Sequence, residues 1–194
     1  AQPWDSQQSG LFHLAYLYPS RSELGDVLRR LEAHHYPLQG ASDHGVSEAL
    51  YLSDPEGNGL ELYVDRVQGE WPYHQKALQM GVDPLDLDGL YRSGTWTQGT
   101  DYILPRSTIL GHVHLQVLEL GLWRKFFTQV LNMELMQQMP KADFLSYEGY
   151  HHHLAINRWR SRVERSASST GLQSFVLAIE LERLTAILQS DCTD

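Results

Sequence analysis

Two stretches of this chain, about a hundred residues apart, carry the same pattern. Gly10-Leu11-Phe12-His13-Leu14-Ala15-Tyr16-Leu17 and Leu110-Gly111-His112-Val113-His114-Leu115-Gln116-Val117 are both short runs of strand formers with an early histidine. Each leads into a helical pattern. Leu24, Val27, Leu28 and Leu31 fall at i, i+3, i+4 and i+7, and Leu120, Trp123, Phe127 and Val130 continue the same periodicity in the second copy. That spacing predicts one apolar helical face per copy. Each helix is then followed by short strands. In the first copy these are about residues 48–52 and 59–65, joined by the turn Asp54-Pro55-Glu56-Gly57-Asn58-Gly59; in the second they are about 143–147 and 150–157, joined around Gly149. Each copy therefore reads as strand, helix, then two or three antiparallel strands. A repeated unit of this kind buries its apolar face only against a neighbour, so the repeat constrains the fold more than any single motif.

The first module spans 10–66 and the second 109–159. Between them, 67–108 reads as a long connection, with Trp71-Pro72, Pro84 and Pro105 and a short helix near 85–91. Residues 160–171 are rich in Ser and Arg and read as a mobile loop. Phe175-Val176-Leu177-Ala178-Ile179 and a helical 181–189 look like the opening of a further module over 172–194 that then stops, as in a piece of a longer array. The 194 residues suffice for one sizeable domain or two small ones. A net charge of −9 argues against nucleic acid or an anionic membrane as the main partner. There is no apolar run long enough to span a bilayer and no visible signal peptide. The single cysteine, Cys192, forms no internal disulfide, which fits a cytoplasmic protein.

Side chains alternate across a strand, so His13, Ala15 and Leu17 share a face, as do His112 and His114, and Glu61 and Tyr63. Glu61 sits in Leu60-Glu61-Leu62-Tyr63-Val64, an apolar strand in which a carboxylate is costly to bury without compensation. A divalent metal compensates it directly. Two neutral imidazoles and one carboxylate leave coordination positions open, which suits non-haem Fe(II) or Mn(II). Taken singly, each residue has an ordinary reading. A strand histidine is more often a hydrogen-bonded core or surface group, Glu61 could pair with an arginine, and His151-His152-His153 could be a solvated edge. The matched placement in the two modules favours His13, His112 and Glu61 as metal ligands.

The stretch from Asp43-His44-Gly45-Val46-Ser47-Glu48 to Asp54-Pro55-Glu56-Gly57-Asn58-Gly59-Leu60-Glu61-Leu62-Tyr63 resembles the vicinal oxygen chelate superfamily, nearest the catechol 2,3-dioxygenase branch. Gly111-His112-Val113-His114-Leu115 and Gly149-Tyr150-His151-His152-His153-Leu154-Ala155-Ile156-Asn157 are similar to that branch too. The resemblance implies an α+β fold of paired βαβββ modules forming a cupped, partly open mixed β-barrel with helices outside. It implies an extradiol ring-cleaving dioxygenase that uses a mononuclear non-haem Fe(II), or another divalent metal such as Mn(II), and O₂ on a small aromatic diol. It makes His13, His112 and Glu61 the metal ligands, His152 the acid–base histidine, and Tyr51 and His44 the groups that hydrogen-bond the substrate oxygens. His114 and His153 are further candidates, since the register within the three histidines is open. It also implies a homodimer or higher oligomer. Two departures stand out. The module with the glutamate precedes the module with the acid–base histidine, and the family's four modules are represented here by the second, the third and the start of the fourth. The rival readings are a metal-dependent glyoxalase-type lyase and a metal-free binding protein of the bleomycin-resistance kind.

Overall fold

The computed structural model describes residues 5–179 together with Glu182, Leu184 and Thr185. The first module is β1 (Gly10–Leu17), α1 (Arg21–Ala33), β2 (Gly40–Asp43), β3 (Ser47–Ser53) and β4 (Gly59–Asp65). Strand β4 returns parallel to β1, with Ala15 opposite Glu61, while β3 pairs antiparallel with both β4 and β2. The strand order is β2-β3-β4-β1. A 3₁₀ turn (Gln68–Glu70) follows, then a small hairpin of β5 (Tyr73–His74) and β6 (Ala77–Leu78), then α2 (Leu87–Ser93). The second module is β7 (Ile109–Gln116), α3 (Leu120–Lys125) running into a π-helical turn (Phe126–Val130), β8 (Glu134–Met139), β9 (Ala142–Ser146) and β10 (Leu154–Asn157). Its strand order, β8-β9-β10-β7, repeats that of the first. The α+β repeat expected from sequence is thus realised in topology.

The chain divides into two compact units, residues 13–113 and residues 1–12 with 114–194. In the first unit, Ser20 caps α1 by accepting from the Glu23 N–H. Leu24, Val27 and Leu28 then pack on Leu50, Leu52, Leu62 and Val64, which project from one face of β3 and β4. Strand alternation therefore sends Ala49, Tyr51, Glu61 and Tyr63 to the opposite face, where Ala15 joins them. Helix α2 closes over α1. A Cβ at Gly25 would lie 2.5 Å from the Leu90 carbonyl oxygen and 2.7 Å from the Gly94 nitrogen, so the two backbones touch through glycine. The connection therefore contributes Leu90 to the core besides joining the modules.

In the second unit, the expected apolar face of Leu120, Trp123, Phe127 and Val130 is only partly realised. Phe127 is buried, but Trp123 is 40% exposed. Trp123 stacks on Phe127, with ring centroids 5.8 Å apart, and at Phe126 the hydrogen bonding changes, Leu131 N–H donating to the Phe126 carbonyl at i→i+5. Leu122 and Phe126 lie outside as well. Arg124 holds the helix to β9 through a bidentate pair (2.9 and 3.0 Å) with Asp143, which is fully buried. The last strand is shorter than its apolar pattern suggested: His151, His152 and His153 precede β10 instead of lying on it. Phe175–Ile179, expected as a strand, carries no strand among the described residues, and most of the helix expected over 181–189 lies outside them.

Candidate metal centre

Three strands of the unit 13–113 converge on one carboxylate. His13 on β1 and His112 on β7 bring their Nε2 atoms to 3.0 and 3.2 Å from the same Glu61 oxygen, Oε2, on β4. One ligand atom from each lies within 4.8 Å of the others. All three residues are buried, at 6%, 2% and 3% exposure. Burial alone would raise the Glu61 carboxyl, but His112 and His13, by charge and hydrogen bonding, outweigh it and hold the group well below the usual carboxylate range. A carboxylate held in its ionised form, facing two imidazole nitrogens inside an apolar sheet, is a donor set that fits a divalent cation.

Tyr51 stands opposite Glu61 on the neighbouring strand. Its hydroxyl reaches both Glu61 and His44 Nε2, the latter at 2.7 Å. Burial, then the Glu61 charge, raise the phenol well above its ordinary value, so it remains a proton donor at neutral pH. His44 is oriented from its other side. Its Nδ1 lies 2.6 Å from the Gly81 carbonyl oxygen, an acceptor only, so Nδ1 carries the proton. In the neutral ring Nε2 is an acceptor and competes with Glu61 for the single Tyr51 proton. The turn that bears His44 is braced by Arg66, which donates to Asp43 at 3.2 and 2.5 Å and to Glu48 at 2.9 Å. Asp43 also pairs with Asp83 through both backbone N–H groups. Arg66, at the end of the first module, and Gly81 and Asp83, in the stretch read from sequence as connection, thus set the ring of a candidate site residue.

The remaining candidates belong to the other unit. His114 Nε2 takes a hydrogen bond from the Asn157 amide (2.9 Å), and its ring sits among Phe12, Phe144 and Trp159. His153 Nδ1 accepts from the Ser146 hydroxyl and the Tyr147 N–H, and burial, with the His151 charge, lowers its pKa. The His152 ring meets Phe144 at 5.1 Å, and its Nδ1 lies 2.8 Å from that of His151. His13, Glu61 and His112 meet as the sequence suggested, with Tyr51 and His44 beside them. Sequence reasoning missed the Gly81 carbonyl, whose backbone role leaves no residue signature, and the bracing by Arg66.

No family model matches the chain. Among curated proteins it is 38% identical over 176 residues to the catechol-2,3-dioxygenase of Bacillus subtilis (strain 168), covering 88% of this chain and 61% of that protein. It is 30% identical over 95 residues to biphenyl-2,3-diol 1,2-dioxygenase 3 of Rhodococcus globerulus, covering 44% of this chain and 50% of that protein. The chain therefore spans less than two thirds of the length of these relatives. Among solved structures, a putative dioxygenase from Bacillus subtilis subsp. subtilis str. 168 aligns with TM-score 0.48 and 12% identity, over 76% of this chain and 40% of that one. In sequence the chain is therefore similar to proteins named catechol-2,3-dioxygenase and biphenyl-2,3-diol 1,2-dioxygenase, over part of their length.

Proposed function

We propose that the protein is an extradiol ring-cleaving dioxygenase that opens a small aromatic diol with O₂ at a mononuclear non-haem Fe(II). The observation that supports this most directly is the buried cluster of His13, Glu61 and His112 in a chain 38% identical to a catechol-2,3-dioxygenase. Those three residues would hold the metal. When bound, it supplies Lewis acidity toward the diol and a route for electrons to O₂.

The chain's own residues do the rest. Glu61 balances the cation with one negative charge, while the two imidazoles add none. Tyr51 would turn its single phenolic proton from His44 Nε2 to a substrate oxygen, with His44, held by the Gly81 carbonyl, beside it. His152 serves as the acid–base group, accepting a proton from the diol and returning one as the ring opens. His114 and His153, each engaged by hydrogen bonds of its own unit, are the further candidates, His153 for the acid–base role. We take the modules to be 10–66 and 109–159, with 172–194 opening a further one. We take the protein to be a cytoplasmic homodimer or higher oligomer, a reading supported by its single cysteine and by the exposed Leu122, Trp123 and Phe126. No helix among the described residues is long and apolar enough to cross a membrane.

The test is to load the protein anaerobically with Fe(II), add catechol in air, and follow the yellow ring-fission product. Colour that requires Fe(II) supports extradiol cleavage. Iron bound without colour argues for another chelating substrate, as in a glyoxalase-type lyase. Failure to bind iron argues for the metal-free binding protein.

A further inference from the structure

Gly111 immediately precedes the ligand His112, and the space its missing side chain would fill is already taken. A Cβ at position 111 would lie 1.9 Å from the Tyr63 hydroxyl oxygen, 2.8 Å from Tyr63 Cζ and 3.1 Å from Leu17 Cβ. Tyr63 has nowhere to retreat. It is fully buried, the largest such side chain among the described residues, and its carbonyl accepts from Tyr18 N–H at 2.7 Å. Its ring packs on Ala15 and Ala49, both fully buried, and Ala49 is its register partner on β3. Three small residues on three strands thus make room for one large ring. That ring stands against the His112 imidazole, with centroids 5.0 Å apart and planes at 49°. His13 is on the imidazole too, at 5.6 Å. Tyr63 lies two residues beyond Glu61, on the same face of β4.

From this geometry we propose that Tyr63 is a positioning residue for the metal ligand His112, with Gly111 as its complementary gap. The phenol fills the space beside β7 and admits the strand only where the residue before the ligand has no side chain. The ring then backs the imidazole and holds its Nε2 toward Glu61. The Gly-His pair is therefore one half of a steric fit whose other half is on the glutamate strand. The proposal rests on the metal-centre reading of His13, Glu61 and His112. It adds that the distance between two ligand-bearing strands is fixed by a side chain that need not itself touch the metal.

The test is Co(II) titration followed by visible absorption, which reports both affinity and ligand geometry. It compares the wild type, Gly111→Ala, Tyr63→Leu, the double variant, and Leu90→Ala as a core change remote from the ligands. Gly111→Ala is expected to weaken Co(II) binding by about 10- to 100-fold, the range for groups that orient a metal ligand, and to change the spectrum at saturation. In the Tyr63→Leu background the same substitution is expected to cost about twofold or less, because the clash has been removed. Leu90→Ala is expected to lower stability while leaving the saturated spectrum as in the wild type. An unchanged cost of Gly111→Ala in the two backgrounds overturns the proposal, as does an unaltered spectrum in Gly111→Ala. If Gly111→Ala fails to fold, the double variant is expected to fold and bind, and its failure overturns the fit. A wild type that binds no Co(II) overturns the metal-centre reading itself and the proposal with it; a wild type that binds, with variants that do likewise, overturns only the proposal.

Discussion

Replacing Arg66 by Met removes the brace of the turn that carries His44. Three hydrogen bonds go: two to Asp43, at 3.2 and 2.5 Å, and one to Glu48, at 2.9 Å. Breaking one partner of a fully buried ion pair costs roughly 3–5 kcal/mol. Here the guanidinium side chain is 35% exposed and that of Asp43 27%, so water takes over part of the lost interaction. Glu48, at 6%, is nearly dry, but it keeps Arg21 at 2.6 Å. Met preserves the packing of the aliphatic stem. The expected loss is therefore about 2 kcal/mol at neutral pH, below the fully buried case. Urea unfolding of the two proteins measures it. The pH dependence supplies a second check. Burial pushes the Asp43 carboxyl up, but Arg66 and the Gly45 N–H outweigh it and hold the group below its ordinary 3.8. A depressed folded pKa contributes stability that is fully present above the ordinary value and is lost as pH falls through the lower folded one. The stability gap between wild type and Arg66→Met should thus be largest near neutrality and narrow as pH drops below 3.8. A loss of less than about 0.5 kcal/mol, the size of an ordinary surface pair, refutes the reasoning. A gap that stays constant through the acid range refutes it too.

Four further outcomes are expected. Arg124→Met strands the fully buried Asp143 carboxylate and should destabilise the protein by about 3 kcal/mol, measurable by urea unfolding. Gly25→Ala drives a methyl into the Leu90 carbonyl and should cost about 2 kcal/mol, with a matching drop in the thermal midpoint. Metal analysis after loading should find His13→Ala and Glu61→Ala empty; unchanged metal content in both would move the site elsewhere. His152→Phe should retain the metal and lose most turnover, and full turnover in that variant would reassign the acid–base role.

Residues that act through their side-chain type were legible in the sequence. The strand histidines of the repeat and a glutamate in an apolar strand pointed to His13, His112 and Glu61, because burying such groups is costly without a shared purpose. The first helix followed its leucine periodicity because α2 and the sheet bury that stripe. The second followed its own pattern only in part, with Phe127 buried and Trp123 exposed, and no composition signal marks the π turn that begins at Phe126. Gly111 and Tyr63 were both visible, but their fit depends on a distance between strands that residue spacing does not contain. The same holds for the Gly81 carbonyl, since every residue of the connection offers an equivalent oxygen.

The three proposed ligands are spread over β1, β4 and β7, with His13 and His112 almost a hundred residues apart. A site assembled from partners so distant in the chain cannot seed folding, because the loop between them has to be closed before the first coordinate bond is rewarded. An ion held there would thus be a late arrival, binding what the chain has already organised. Its stabilisation would then fall mostly on the rate of unfolding. In practice, bound metal would lengthen the lifetime of the folded chain without hastening its formation, and a ribosome-bound chain ending before β7 would hold only two of the three donors.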